Sequence, residues 1–156
     1  MSIRENCEYE NIIKYRQGLY DWMNEYDWEW FITMTLPDDN YENTEKYLKV
    51  WRQNLCISNH IRICYLGIII MSQFTGNHLH LLMFGRNKDE DTLVDMDKSE
   101  WENEWSRITG RDCHIELVRD NGVIDYMTLP KNTPYNHFQF VNPYNGDFLE
   151  KYKKFN

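Results

Sequence analysis

The chain has 156 residues, with 25 acidic against 17 basic side chains and a net charge of −8. That length suits one domain with a sizeable core. Hydrophobic and aromatic contents of 42% and 15% exclude a disordered or low-complexity chain. The excess of acid speaks against a protein that coats nucleic acid through Lys and Arg.

Residues 8–26 carry apolar side chains at Ile12, Tyr15, Leu19, Trp22 and Met23, a helical period that predicts an N-terminal helix. Trp30-Phe31-Ile32-Thr33-Met34-Thr35-Leu36 alternates threonine with larger apolar residues and ends at Pro37-Asp38-Asp39-Asn40, which predicts a strand closed by a turn. Tyr47, Leu48, Trp51 and Leu55 mark a helix over 41–57, with Asn43 or Thr44 as its cap. An isoleucine-rich strand is predicted over 61–73, a turn at Thr75-Gly76-Asn77, and a returning strand from His78 to Phe84. Residues 86–97 read as a charged loop. Ser99 opens a short helix through Trp101, Trp105 and Ile108, with Glu102 as capping-box partner and Gly110 as its end. A strand follows from Cys113 to Val118, then a helical stretch from Val123 to Leu129 that stops at Pro130.

The order β-α-β-β-α-β predicts an α+β fold, a ferredoxin-like (split βαβ) antiparallel sheet with helices on one face and the first and third strands side by side. The expected organisation is one domain over 1–156, with a core at about 28–132, the helix at 8–26, and an irregular, aromatic extension at 133–156. No apolar stretch approaches the ~20 residues of a membrane span. The first residues lack the apolar core of a signal peptide, so the expected location is cytoplasmic. Cys7, Cys56, Cys64 and Cys113 form no C-x-x-C pair and fail zinc-finger spacing; they read as reduced, packed thiols.

His78-Leu79-His80 carries the most chemistry. On a strand, residues i and i+2 point to one face about 7 Å apart, a separation that lets two imidazoles converge on one metal ion. A two-residue turn at Gly76-Asn77 would set Gln73 opposite His80 and make its amide oxygen a third ligand, whereas a three-residue loop would put Ser72 there. Thr33 and Thr35 share a face of the strand expected beside the histidines, where they can orient ligands or contact phosphate; as good strand formers they also need no further role. Tyr126 is a candidate covalent nucleophile, with a nearby lysine to stabilise charge.

These segments resemble the HUH endonucleases, and within them the rolling-circle replication initiators (Rep) of plasmids and small single-stranded-DNA viruses. Phe31-Ile32-Thr33-Met34-Thr35-Leu36-Pro37 looks like the first motif, F-x-T-h-T-x-P with h apolar. Gly76 to Gly85 looks like the second, the His-hydrophobic-His strand. Tyr126 with Lys131 looks like the third, and Trp101, Trp105, Gly110 and Ile115-Glu116 resemble the segment that joins the last two. The resemblance covers roughly residues 30–132. It implies that His78, His80 and a further polar residue, Gln73 or Ser72, hold Mn²⁺ or Mg²⁺. It further implies that Tyr126, assisted by Lys131, attacks a phosphodiester of single-stranded DNA at an origin or hairpin and leaves a 5′-phosphotyrosine and a free 3′-OH. A host, plasmid or viral helicase and polymerase are the implied partners. Two departures stand out: the run from Ile68 to Thr75 holds no carboxylate, and Lys131 follows the tyrosine by five residues with Pro130 between. The competing readings are a transposase- or relaxase-like HUH enzyme, a non-catalytic nucleic-acid-binding module on the same sheet, and a structural protein.

The distribution of charge reconciles the acid with a DNA substrate. Residues 21–45 hold eight acidic and no basic side chains, residues 88–104 eight acidic and two basic, and the remainder is basic by six charges. A polarised surface is expected, with weak, salt-sensitive affinity for DNA in general and local contacts from Thr33, Thr35, Arg111 and Arg119.

Overall fold

Alternation of large apolar residues with threonine shapes the first strand. In the computed structural model, which describes residues 14, 17–38, 40–70, 78–120, 122–124, 137–141 and 151–153, burial switches residue by residue along β1 (Trp30–Thr35). Trp30, Ile32 and Met34 are buried on one face, and Phe31, Thr33 and Thr35 are half-buried on the other. A helix over 17–23 (α1) precedes β1. The elements that follow are α2 (Tyr41–Asn59), β2 (Ile61–Ile70), β3 (His78–Asn87), α3 (Lys98–Thr109), β4 (Cys113–Leu117) and β5 (His137–Val141).

The five strands form one sheet in the order β4-β1-β3-β2-β5, with every neighbouring pair antiparallel. The fold is therefore α+β, an antiparallel sheet with flanking helices, and the first and third strands lie together as expected. α2 and α3 pack on one face. Leu48, Trp51 and Leu55 from α2 and Trp101 and Trp105 from α3 meet Trp30, Ile32, Met34, Leu79, Leu81 and Met83 from the sheet. Indole N–H groups lock this layer: Trp51 donates to the carbonyl of Trp101 (2.9 Å) and Trp105 to that of Thr35 (3.0 Å). The other face carries a second cluster, in which Met23 of α1, Tyr26 and Trp28 cover Leu82 and Phe84.

Several local expectations are corrected. Asn40, not Asn43 or Thr44, caps α2, because the helix starts at Tyr41 and the Asn40 side chain accepts from the Asn43 N–H (3.2 Å). α3 is capped by Asp97, which accepts from Ser99; Glu102 serves no capping box and instead accepts the N–H of Ile115 on β4 (2.9 Å). β3 runs on through Gly85, Arg86 and Asn87, and the expected loop contains a 3₁₀ turn (Leu93–Asp95) that buries Leu93. Residues 137–141, expected in an irregular extension, pair with β2 as β5. His-Phe-Gln-Phe-Val has a short period-two pattern that a neighbouring strand can complete.

The β2–β3 register sets Ile68 opposite His80 and Ile70 opposite His78, so seven residues, 71–77, separate the paired ends. The two-residue hairpin is thereby replaced. The odd count gives the parity of the three-residue alternative, with even-numbered β2 residues opposite the histidines. Gln73, Ser72, Tyr126 and Lys131 lie outside the described residues, as do residues 8–13, 15 and 16 of the expected N-terminal helix and the stretch from 125 to 130.

Candidate functional site

Side chains two apart on a strand share a face, and the register extends this rule across the sheet. Thr33 pairs with His80 on one side and with His114 on the other, while Thr35 pairs with His78. The remaining half of the second face thus carries a row His114–Thr33–His80 with His78 and Thr35 beside it. The other half of that face is filled by Leu82 and Phe84 under Trp28. Segments far apart in sequence meet here because β1 and β3 are the central pair.

His80 is buried, with 6% of its surface exposed. Its Nδ1 shares a hydrogen bond with the Thr33 hydroxyl (3.1 Å). The Phe31 ring stacks on it, centroids 5.2 Å apart and planes 18° from parallel. The His78 ring meets it edge-on at 4.9 Å. Burial, and secondarily the neighbouring His78, push the His80 imidazole down to about 4. It is therefore neutral at physiological pH and keeps a lone pair for a cation or for a hydrogen-bond donor. His78 is half-buried at the mouth of the same face.

Two imidazoles whose ring centroids lie 4.9 Å apart on one strand face, one of them held neutral, offer nitrogen donors to a divalent ion. Among the described residues, no group of three or more His, Cys, Asp or Glu side chains is arranged to hold a metal. The expected third donor, Gln73 or Ser72, and the expected nucleophile and lysine, Tyr126 and Lys131, are not among those residues.

Arg111 is exposed at the turn into β4, where its carbonyl accepts from Ser106 Oγ (2.9 Å) and its N–H donates to Thr109 Oγ1 (3.1 Å). The adjoining Asp112 carbonyl accepts the Thr35 N–H (2.9 Å), which places Arg111 at the His78 end of the sheet. Arg119 lies beyond the other end of β4, in a groove it lines with Lys98, Glu116 and Val123. The structure brings Thr33 and Thr35 to the histidines and sets the two arginines at opposite ends of β4. Sequence reasoning missed Phe31 and His114 as neighbours; counting in twos from Thr33, and across the sheet to its partner, would have found both. His114 Nε2 is 3.0 Å from Glu116 Oε1, the pair being exposed on the edge strand.

Much of the acid is engaged within the fold. Glu29 is buried and accepts from the N–H groups of Gly85 (2.9 Å) and Leu93 (3.4 Å) and from the Arg86 guanidinium (3.1 Å); burial raises its carboxyl above the usual range despite these donors. Glu90 bonds Tyr152 and Lys151, and Glu104 bonds Arg107 and Asn54. Cys56 and Cys113 are free thiols, pushed up to about 11 and about 12, chiefly by burial, and so away from thiolate character. Among the described residues, no helix is long and apolar enough to cross a membrane.

No protein-family profile, curated protein or solved structure matches the chain.

Proposed function

We propose that this chain is a HUH-type endonuclease that nicks and rejoins single-stranded DNA, acting as the rolling-circle replication initiator of a plasmid or small virus. The observation that carries the reading is the hydrogen bond between Thr33 and His80, residues 47 apart in sequence. It unites the T-x-T strand with the H-x-H strand at the centre of an antiparallel sheet. Under this reading His78 and His80 hold Mn²⁺ or Mg²⁺, with Gln73 or Ser72 as a further donor. When bound, the ion supplies positive charge against the phosphate oxygens of the cleaved bond.

The protein groups then have defined tasks. The Tyr126 oxygen attacks phosphorus, an O–P bond to tyrosine forms, and the P–O3′ bond breaks. The phenolic proton is removed as attack proceeds, and a proton ends on the departing 3′-oxygen. Lys131 stabilises charge at the tyrosine. The 3′-OH is left free to prime synthesis by a polymerase, with unwinding by a helicase partner, and rejoining is the reverse step. The neutral state of His80 supports this role, because a protonated imidazole cannot ligate a cation. Such an enzyme works in the cytoplasm of the host cell.

The test is incubation with a broad pool of single-stranded oligonucleotides and Mn²⁺, followed by a denaturing gel. A covalent adduct is expected that Tyr126→Phe abolishes and that His78→Ala or EDTA greatly reduces. Binding with no adduct would replace this reading with a non-catalytic nucleic-acid-binding module.

A further inference from the structure

A neutral imidazole exists as two tautomers, with the proton on Nδ1 or on Nε2, and only the unprotonated nitrogen can ligate or accept. In water the Nε2–H form is favoured, so a histidine that must present its outer nitrogen needs a partner that keeps the proton on Nδ1. Ligating histidines ordinarily find that partner in an acceptor at the other ring nitrogen. At His80 the Nδ1 atom has a hydroxyl beside it, that of Thr33, 3.1 Å away.

We infer that Thr33 is a positioning residue that accepts the Nδ1–H of His80 and so fixes the tautomer with the lone pair on Nε2. Two further features suit Thr33 to the task. It sits on β1, directly paired with His80, so the contact is set by sheet register rather than by a loop. The Phe31 stack fixes the plane of the ring, which leaves the proton position as the remaining choice. A threonine oxygen has two lone pairs and a rotatable proton, so it can accept from the ring while donating elsewhere. The inference rests on the proposed metal-binding role of the histidine pair for its consequence, but not for the tautomer itself.

Two readouts on the full chain separate the two. Long-range ¹H–¹⁵N NMR at neutral pH, with no metal added, reports the His80 tautomer. The wild type and Thr33→Ser are expected to show Nδ1–H, and Thr33→Val, close in shape but without the hydroxyl, to move toward Nε2–H. Titration with Mn²⁺ is expected to give Thr33→Val an affinity about 10–100-fold weaker, with Thr33→Ser close to wild type. An Nε2–H form in the wild type, or a Thr33→Val protein with unchanged tautomer and unchanged Mn²⁺ affinity, overturns the inference. Should Thr33→Val not fold, the wild-type tautomer and the Thr33→Ser comparison still decide it. Unchanged Mn²⁺ binding in His80→Ala overturns the proposed metal site, while the tautomer continues to judge Thr33.

Discussion

Phe31 lies stacked on His80, its ring 18° from parallel and 5.2 Å away between centroids, so a half-buried aromatic on one central strand forms a lid over the histidine of the next. Burial is the main reason that this imidazole is held down to about 4. Phe31→Ala therefore admits water to the ring. The His80 titration, followed by NMR, is expected to move upward toward the ordinary histidine value of about 6.5. The loss of half-buried ring surface is expected to lower stability by about 2 kcal/mol. An unmoved titration would show that another part of the fold excludes water from His80.

Stability should fall as pH falls through the window between the unfolded and folded values of His80. Between pH 6.5 and about 4 the unfolded chain binds a proton that the folded chain refuses, so the slope favours the folded state at higher pH. Its full size for a depression of this extent is about 3 kcal/mol. Glu29 works in the opposite direction. Its carboxyl is raised by burial, so its contribution is present below about pH 4.5 and is lost as pH rises through its folded value. Denaturant melts from pH 7 to 4 in EDTA should therefore show a smaller loss in His80→Gln than in the wild type. Equal losses would contradict the assignment.

Glu29 joins the start of β1, the end of β3 and the 3₁₀ turn through four hydrogen bonds, two of them to Arg86. Glu29→Ala strands the largely buried guanidinium of Arg86 and two backbone donors, and is expected to destabilise the protein by roughly 3–5 kcal/mol. Arg86 also lies over the Tyr152 ring, 4.5 Å from its centroid. Urea melts of Glu29→Ala, Arg86→Met and the double variant test the coupling. The double variant should be less unstable than the sum of the singles.

Gly85 continues β3 where a side chain would not fit. A Cβ there would lie 2.8 Å from the Arg62 carbonyl oxygen, 3.0 Å from Ile63 Cγ2 and 3.2 Å from Leu93 Cδ2. Because backbone is the nearest obstacle, Gly85→Ala is expected to cost about 1–3 kcal/mol. A melt within experimental error of wild type would mean that β2 and the 3₁₀ turn yield easily.

The parts of this fold written as local periodicity were legible in the sequence. Thr33 and Thr35 announce β1 by alternation, His78 and His80 announce β3, and the tryptophans at 101 and 105 announce the buried face of α3. Contacts decided across the sheet were not legible. β3 continues past Phe84 because Glu29 and Leu93 close around a bare Gly85, which the charged sequence after it conceals. Glu102 looks like a capping residue by its spacing from Ser99, yet it is spent on Ile115 of the edge strand. The pairing of β2 with β3 depends on the length of the connection, and a plausible Gly-Asn turn suggested a shorter one than the register shows. At the site, the threonine face and the histidine face were both evident, but their hydrogen bond and the Phe31 stack required the register of β1 against β3.

The most direct measurement is peptide mapping by mass spectrometry of any covalent complex formed with single-stranded DNA in Mn²⁺. One modified peptide is expected, carrying a nucleotide 5′-phosphate on Tyr126, and it should disappear in His80→Ala. An adduct on another residue, or none from a pool of random sequence under conditions where Mn²⁺ is bound, would contradict it.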